Sequence, residues 1–352
     1  MITTNKCIRD LNRHFKAARI NLVDVGSRWG RQRPWDQYPD DYVNYFGFDA
    51  DARECERLNK INKHKNYKFI PAALSDGNRT ETLYITRESG RSSIFKPNYN
   101  CLNKYYDKEG FEVLNKVEVY TTTLNKIIED NKIDPDFLKI DTQGSELNII
   151  KGVNNYYERI LGFEIEVEFI QTYEGQPLFG EVDEFMRSIG FELYDLNRYW
   201  AKRSNMELKY SNRGQVVFAD AIYFRNLSSF FLSKYANEKD LKNKLIKMIN
   251  ILILYGYHDV ANEFLCHRQS PLSKNEKDII QKLLHDISAY PTWQRILFNN
   301  RVAQRFGVLL HCLGNLFSYR AKTSGWGTDY ETVNGRYAYH APKSIVRLFG
   351  RK

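Results

Sequence analysis

With 352 residues, 42% hydrophobic and 27% charged, the chain has the composition of a globular protein, long enough for one large domain and a smaller one. Its apolar runs are too short to span a bilayer and its polar start lacks the apolar stretch of a secretory leader; the five cysteines (7, 55, 101, 266, 312), scattered and never spaced C-x-x-C, argue against a disulfide framework or a zinc site, so a cytoplasmic protein is expected. The net charge of +9 is segregated: from Asn226 onward 19 Lys and Arg face 9 Asp and Glu, an excess that suits either an anionic partner or a solvated basic face.

Residues 1–17 read as a helical lead-in. From 18 to 226, short β-rich runs alternate with helical periodicity, the pattern of an α/β domain whose sheet is covered on both faces. The candidate strands are INLVDVG, YFGFDA, YKFIPAALS, FLKID and ILGFEIEVEF. DARECERLNKIN follows the second as a helix, SELNIIKGV the fourth and PLFGEVDEFMRSIG the fifth, where Leu178, Val182, Phe185, Met186 and Ile189 share a face. SDGNRTETLYIT reads as a turn and an extra strand. FELYDLN and QVVFADAIYFR have no helix between them and are expected to close the mostly parallel sheet as an antiparallel hairpin. Residues 227–318 read as a C-terminal helical domain, with Leu241, Leu245, Ile249 and Leu252 at helical spacing, a break at YGYHD, and Ser273 and Glu276 placed as a capping box. Residues 319–352 form a basic tail rich in Gly and Tyr.

Chemistry is expected where the strands end, because open α/β sheets bind ligands in the crevice outside the carboxyl ends of their strands. The first strand ends in Asp24 and runs into Gly26, Ser27 and Gly30, whose glycines let the backbone approach a ligand; Arg28 breaks the G-x-G-x-x-G fingerprint, which disfavours a dinucleotide. Asp49 ends the second strand, where an acid can accept hydrogen bonds from both hydroxyls of a ribose. Asp51 better suits the cap of the helix that follows. Asp141 ends the fourth strand, beside the crevice. Glu146 falls in the first turn of the next helix, where the helix dipole alone favours an acid. Glu164, Glu166 and Glu168 alternate along the fifth strand and share one face of a strand expected to be buried, a costly arrangement unless the acids are paired or used. No histidine lies between His64 and His258, so a general base in the crevice is expected to be a carboxylate; no spacing of acids supports a metal.

Taken in order, NLVDVGSRWG, FGFDADA, AALSDGN, VEVYTTTLNKII, DFLKIDTQGSELNIIKG and GFEIEVEFIQTYEGQPLFGEVDEFMRSIGFELYDL resemble the FkbM family of AdoMet-dependent methyltransferases over residues 18–226. The resemblance implies a Rossmann-like methyltransferase sheet, S-adenosyl-L-methionine as cofactor, and O-methylation of a hydroxyl on a sugar, glycan or glycolipid. Carried over by position, Asp24, Gly26, Ser27 and Gly30 would line the methionine end of the cofactor, Asp49 would hold the ribose, and Ala73 and Leu74 would border the adenine. Asp141 or Glu166 would act as catalytic base, with Glu146, Glu164, Glu168 and Ser93, in the loop SGRSSIFKPN, near the acceptor. Asp49 and Ala50 stand where the family usually has glutamate and proline. The basic end invites an anionic membrane surface, as at the inner face of a membrane, or a lipid-linked substrate. It also leaves two other readings: a non-catalytic module of methyltransferase fold that recruits an anionic partner, and nucleic-acid methylation, which the absence of an Asn/Asp-Pro-Pro-aromatic signature disfavours.

Overall fold

The computed structural model describes residues 3–289, apart from 106, 206–213 and 236, together with the backbone of 326–328. Helix α1 (Thr4–Phe15) precedes β1 (Ile20–Val25), and β2 (Val43–Asp49), α2 (Ala52–Ile61) and β3 (Tyr67–Pro71) follow. The chain then leaves the main sheet to build β4 (Ala73–Ser75), β5 (Arg79–Thr86), the single-turn α3 (Tyr99–Leu102) and β6 (Val113–Thr123). It returns through α4 (Leu124–Asn131) to β7 (Phe137–Ile140), through α5 (Glu146–Lys151) to β8 (Gly162–Glu168), and through α6 (Phe179–Ser188) to the hairpin of β9 (Phe191–Ala201) and β10 (Gln215–Arg225). Helices α7 (Leu227–Leu232), α8 (Glu238–Tyr255), α9 (His258–Cys266) and α10 (Lys274–Ser288) come next, and β11 (Trp326–Thr328) pairs with β9. The remainder of the expected helical region, 290–318, and most of the basic tail lie outside the described residues.

The main sheet has the order β11-β9-β10-β8-β7-β1-β2-β3; β8, β7, β1, β2 and β3 run parallel, and β10 is antiparallel to both β8 and β9. This is the expected mostly parallel sheet with a terminal antiparallel hairpin. One expectation is corrected: YKFIPAALS is two strands. Pro71 has no N–H to continue a ladder, Ala72 donates its N–H to Asp49 O at 3.0 Å, and the chain then turns so that Ala73–Ser75 pair with Thr121–Thr123 in a second sheet of order β4-β6-β5.

Strand alternation divides the core. Val23, Leu138, Phe163 and Ile165 face α4, α5 and α6, while Leu22, Tyr45, Phe137 and Phe224 face the opposite side, where α8 lies. Helix α8 is buried continuously from Lys244 to Tyr255, because the sheet covers one side of it and α1, α9 and α10 the others. A helix apolar on all sides, as from Met248 to Tyr255, is stable only in such a place. Its two buried cations share one acid: Asp136, wholly buried, accepts from Lys244 Nζ at 2.7 Å and Lys247 Nζ at 2.6 Å, and from the Asn21 N–H at 2.8 Å, while Lys244 also lies 3.3 Å from Asp134. The capping box is present: Ser273 Oγ accepts from the Glu276 N–H and Glu276 Oε2 from the Ser273 N–H. No helix among the described residues is long and apolar enough to cross a membrane. Much of the basic excess lies elsewhere, since residues 290–352 hold ten Lys and Arg against two Asp and Glu.

The Asp136 site gives a stability prediction. Removing one partner of a buried ion pair leaves uncompensated charge, so Asp136→Ala is expected to lower the unfolding free energy by roughly 3–5 kcal/mol in urea titrations. Lys60→Ala, which breaks only an exposed pair with Glu56, should cost less than about 1 kcal/mol.

Candidate active site

The crevice is built from loops that follow parallel strands. Beyond β1, the N–H groups of Gly26 and Ser27 both donate to Phe48 O, at 2.9 and 3.0 Å, which draws the loop over the end of β2. Gly26 has φ +87°, and a Cβ there would lie 1.8 Å from the carbonyl oxygen of Asp141. Only glycine allows this backbone-to-backbone approach of the β1 and β7 loops, which the Asp141 N–H closes by donating to Val25 O at 2.9 Å. Ser27 is buried, its Oγ within 3.3 Å of Phe48 O. Gly30, at φ +70°, ends the turn with its N–H on Ser27 O. Arg28 reaches across to Asp51 at 3.6 Å, and Trp29 projects, 70% exposed.

Asp49 stands at the end of β2 with Oδ1 accepting from the Asp51 N–H at 2.8 Å; burial raises its pKa against that bond and the nearby Arg28. Asp51 caps α2 as expected, accepting from the Arg53 N–H. Ala73 and Leu74 lie in β4 beside Thr121 and Thr122, with Leu74 packed into the core under the sheet.

On the face that α8 covers, the strands change from apolar to charged toward their carboxyl ends. Lys139, nearly buried, has Nζ 3.8 Å from Asp24 Oδ1 and 3.6 Å from Asp141 Oδ2. Burial alone would drive off its proton, but Asp24, Asp141, Glu164 and Asp220 outweigh it and raise the pKa, so the ammonium is held charged. Asp24 accepts from the Tyr45 hydroxyl at 2.7 Å, and burial raises its pKa although Lys139 and Tyr45 oppose this. Its Oδ1 has no hydrogen-bond partner. Glu164 accepts from the Tyr255 hydroxyl at 2.6 Å, and that oxygen in turn accepts from Trp35 Nε1, so Glu164 turns toward the end of α8.

Asp141 and Glu166 are joined by Gln143. Its Nε2 donates to Asp141 Oδ1 at 3.1 Å and to Glu166 Oε1 at 2.7 Å, while its carbonyl oxygen accepts from Ser93 Oγ at 2.7 Å. Tyr173 places its hydroxyl within reach of Gln143 Oε1 and Arg91 O. Gln143 is held at φ +61°, a conformation that a side chain other than glycine adopts only when its surroundings impose it. Glu146 folds back on the same loop: its carboxylate accepts from the N–H groups of Thr142 and Gly144 and from the Thr142 hydroxyl. Burial pushes its pKa up to about 7 in spite of those bonds. Glu166 and Glu168 rise well above the usual carboxylate range, through burial first and then through nearby acids. A cavity of about 550 Å³ opens onto these groups, bounded by Trp29, Phe111, Gln143, Glu166, Glu168 and Phe218, with segment 87–91 along one side.

The structure therefore joins Asp141 and Glu166 through Gln143, with Ser93 one bond behind and Glu168 on the same cavity wall. Glu146 ties its own loop, and Glu164 meets Tyr255. Sequence reasoning passed over Lys139, Gln143 and Tyr173. Lys139 had a signal, a lone charge within the apolar run FLKI; the other two are placed by contacts across 30 residues or more that nothing local announces.

Residues 38–193 match the family model described as the methyltransferase FkbM domain, a span that includes Asp49, Asp141 and all of β8. Over those residues the chain is similar to methyltransferase domains of the FkbM type. Solved structures similar to it include precorrin-6y C5,15-methyltransferase from Geobacter metallireducens GS-15, at 13% identity over 64% of this chain and 91% of that one, with a TM-score of 0.31. Methyltransferase FkbM from Methylobacillus flagellatus KT is similar at 11% identity over 62% of this chain and 53% of that one, TM-score 0.33. Magnesium protoporphyrin IX methyltransferase from Synechocystis PCC 6803, solved with bound SAM, is similar at 8% identity over 63% and 78%, TM-score 0.31. No match was found among curated proteins.

Two predictions follow from the geometry. Gly26→Ala must push the β1 and β7 loops apart and should lower the unfolding free energy by about 3 kcal/mol or more, whereas Gly30→Ala, with open space around it, should cost only the roughly 1–2 kcal/mol of a left-handed backbone. Thermal or urea melts of the two variants make the comparison. Glu146 gives the second. Its folded pKa lies above the unfolded value, so its contribution favours the folded state most below the ordinary carboxylate pKa and declines as pH rises toward 7. The stability of the wild type relative to Glu146→Gln should fall by on the order of 3 kcal/mol between about pH 4 and pH 8, read from urea titrations at a series of pH values.

Proposed function

We propose that this chain is an AdoMet-dependent methyltransferase that transfers the methyl group to a hydroxyl of a sugar-containing acceptor. The observation that carries the reading is the Asp141–Gln143–Glu166 bridge at the wall of the cavity, one loop away from the Gly26 cradle. The residues present suit the cofactor. Gly30 has open space beside it for the methionine end, in a loop whose bulk is Arg28 and Trp29, and Asp24 leaves one buried oxygen without a hydrogen bond. Asp49 spends one oxygen on the Asp51 N–H and keeps the other for a ribose hydroxyl, with Ala73 toward the adenine. When bound, AdoMet supplies a methyl already activated on a positive sulfur, so the protein's task is alignment, exclusion of water and removal of one proton.

The cavity wall fits a polyhydroxylated ring. Trp29, largely exposed, offers a face for its C–H surface, and Glu166 and Glu168 offer acceptors for its hydroxyls; Glu168 Oε2 has no hydrogen-bond partner. Glu166 is the proton acceptor in this reading. Burial and the neighbouring acids raise its pKa, which makes the ionised form a stronger base than that of an ordinary glutamate. Asp141, the more exposed acid, accepts from the acceptor hydroxyl and aligns its oxygen, while Gln143 fixes the spacing of the two carboxylates and Lys139 stands as counter-charge behind Asp141.

Calorimetry with AdoMet and transfer of labelled methyl to a panel of sugars and glycolipids test the proposal. Asp141→Asn and Glu166→Gln should each lower kcat by about 10²- to 10⁴-fold while AdoMet affinity stays within a few-fold. Absence of AdoMet binding by the wild type, or transfer that survives both substitutions, would refute it.

A further inference from the structure

Away from the cavity, β6 carries three large apolar side chains that the fold leaves open: Leu114 (58% exposed), Val117 (43%) and Tyr120 (69%). Lys116 and Glu118, on the same face as Tyr120, flank Val117 and are exposed as well. On one side β6 pairs with β5 from Val113 to Thr121, with a register shift at Leu114. On the other, β4 covers only Thr121–Thr123, and no strand among the described residues pairs with the edge from Val113 to Tyr120. Such an edge is a template for another strand unless it is guarded.

The direction of its free hydrogen-bonding groups can be fixed. Tyr84, which lies opposite Lys116, exchanges its N–H and C=O with Ser93, on the far side of β5. Tyr84 and Lys116 are therefore a pair without mutual backbone bonds, and the N–H and C=O of Lys116 point to the open edge. There the Lys116 N–H meets only Asn115 Oδ1, at 2.8 Å. Glu118 and Tyr120 follow in the same phase, since no register shift interrupts β5 and β6 over that stretch.

We propose that two copies of this chain associate through this edge, β6 against β6, antiparallel about a twofold axis at Val117. Three features select that partner and that register. Lys116 then faces Glu118 of the second copy, and Glu118 faces its Lys116, so the opposite charges pair twice. Leu114, at the register shift, comes opposite Tyr120 of the second copy, which brings together the two most exposed apolar groups of the strand. The residues whose backbone groups point outward, Lys116 and Glu118, fall opposite each other as a hydrogen-bonded pair. The neighbouring registers in the same phase place Lys116 against Lys116 or Glu118 against Glu118, which like-charge repulsion disfavours. The pairing stops at Tyr120, where β4 takes over the edge. It requires Asn115 to release the Lys116 N–H, a side-chain rotation at an exposed position. Because β5 and β6 bracket the segment that supplies Arg87 to Arg91 and Phe111 to the cavity wall, the dimer would brace that wall from outside.

Sedimentation equilibrium of the whole chain over the micromolar range tests the inference. The wild type is expected to form dimers; Lys116→Glu and Glu118→Lys should each weaken association by on the order of tenfold, and the double exchange Lys116→Glu/Glu118→Lys should restore it. Circular dichroism and melting temperature confirm that each variant is folded, and should Lys116→Glu fail to fold, Glu118→Lys carries the same comparison. A wild type that stays monomeric, a dimer indifferent to either single exchange, or a double exchange that does not recover association would each overturn it.

Discussion

A row of three side chains across neighbouring parallel strands, Asp24 on β1, Lys139 on β7 and Glu164 on β8, stands in register at the point where the sheet passes from support to site. Taking an ammonium group out of water costs several kcal/mol, and so does each carboxylate; the arrangement persists because each charge finds its opposite across one strand spacing. Lys139 is the hub, since Asp141 and Asp220 also lie close enough to hold it charged. Without that cation, four carboxylates would converge under the crevice with nothing to offset their repulsion. The position of Asp141 at the mouth is thus tied to a charge balance one layer deeper.

The same face explains why α8 ends where it does. Toward the start of the strands, Leu22, Phe137 and Phe224 are apolar and the helix packs on them; at its far end Tyr255 stacks on Phe137 and turns its hydroxyl to Glu164. Tyr255 also accepts from Trp35, so one hydroxyl joins the helix, the segment between β1 and β2, and the charged row. The helices beyond residue 226 therefore share a core with the sheet that carries the site, and Lys244 and Lys247, part of the basic excess, serve that packing through Asp136.

Much of this was legible. The parallel strands announced themselves as short apolar runs, the hairpin as two strands without a helix between them, and the alternating glutamates of β8 as charges too costly to bury without purpose. Asp49 and Asp51 were separable because a strand end and a helix cap ask different things of an acid. Other features were opaque for physical reasons. A helix apolar on every side has no face to show which surface it will cover, so α8 could be found but not docked. A count of lysines cannot distinguish Lys247, neutralised inside, from one in solvent. Glu146 was correctly seen at a helix start, yet its four hydrogen-bond contacts to the preceding turn depend on that turn's conformation, which the residue string does not fix.

The cavity is assembled from two sources. One wall, with Glu166 and Glu168, belongs to a central strand; the opposite wall comes from the segment between β5 and β6, which is tied to the loop after β8 by the backbone bonds of Lys96 and Asn98 with Glu174 and Thr172, and to the site by Ser93 to Gln143 and Tyr173 to Arg91. The spacing of Glu166 and Glu168 is set by the strand they share. Shape and breadth are set by the segment, where Arg91 bonds to Asp107 O and lies over the Phe111 ring. The acids of the cavity and its breadth are thus encoded in separate parts of the chain, the first in β7, β8 and the loop between β7 and α5, the second in the segment between β5 and β6.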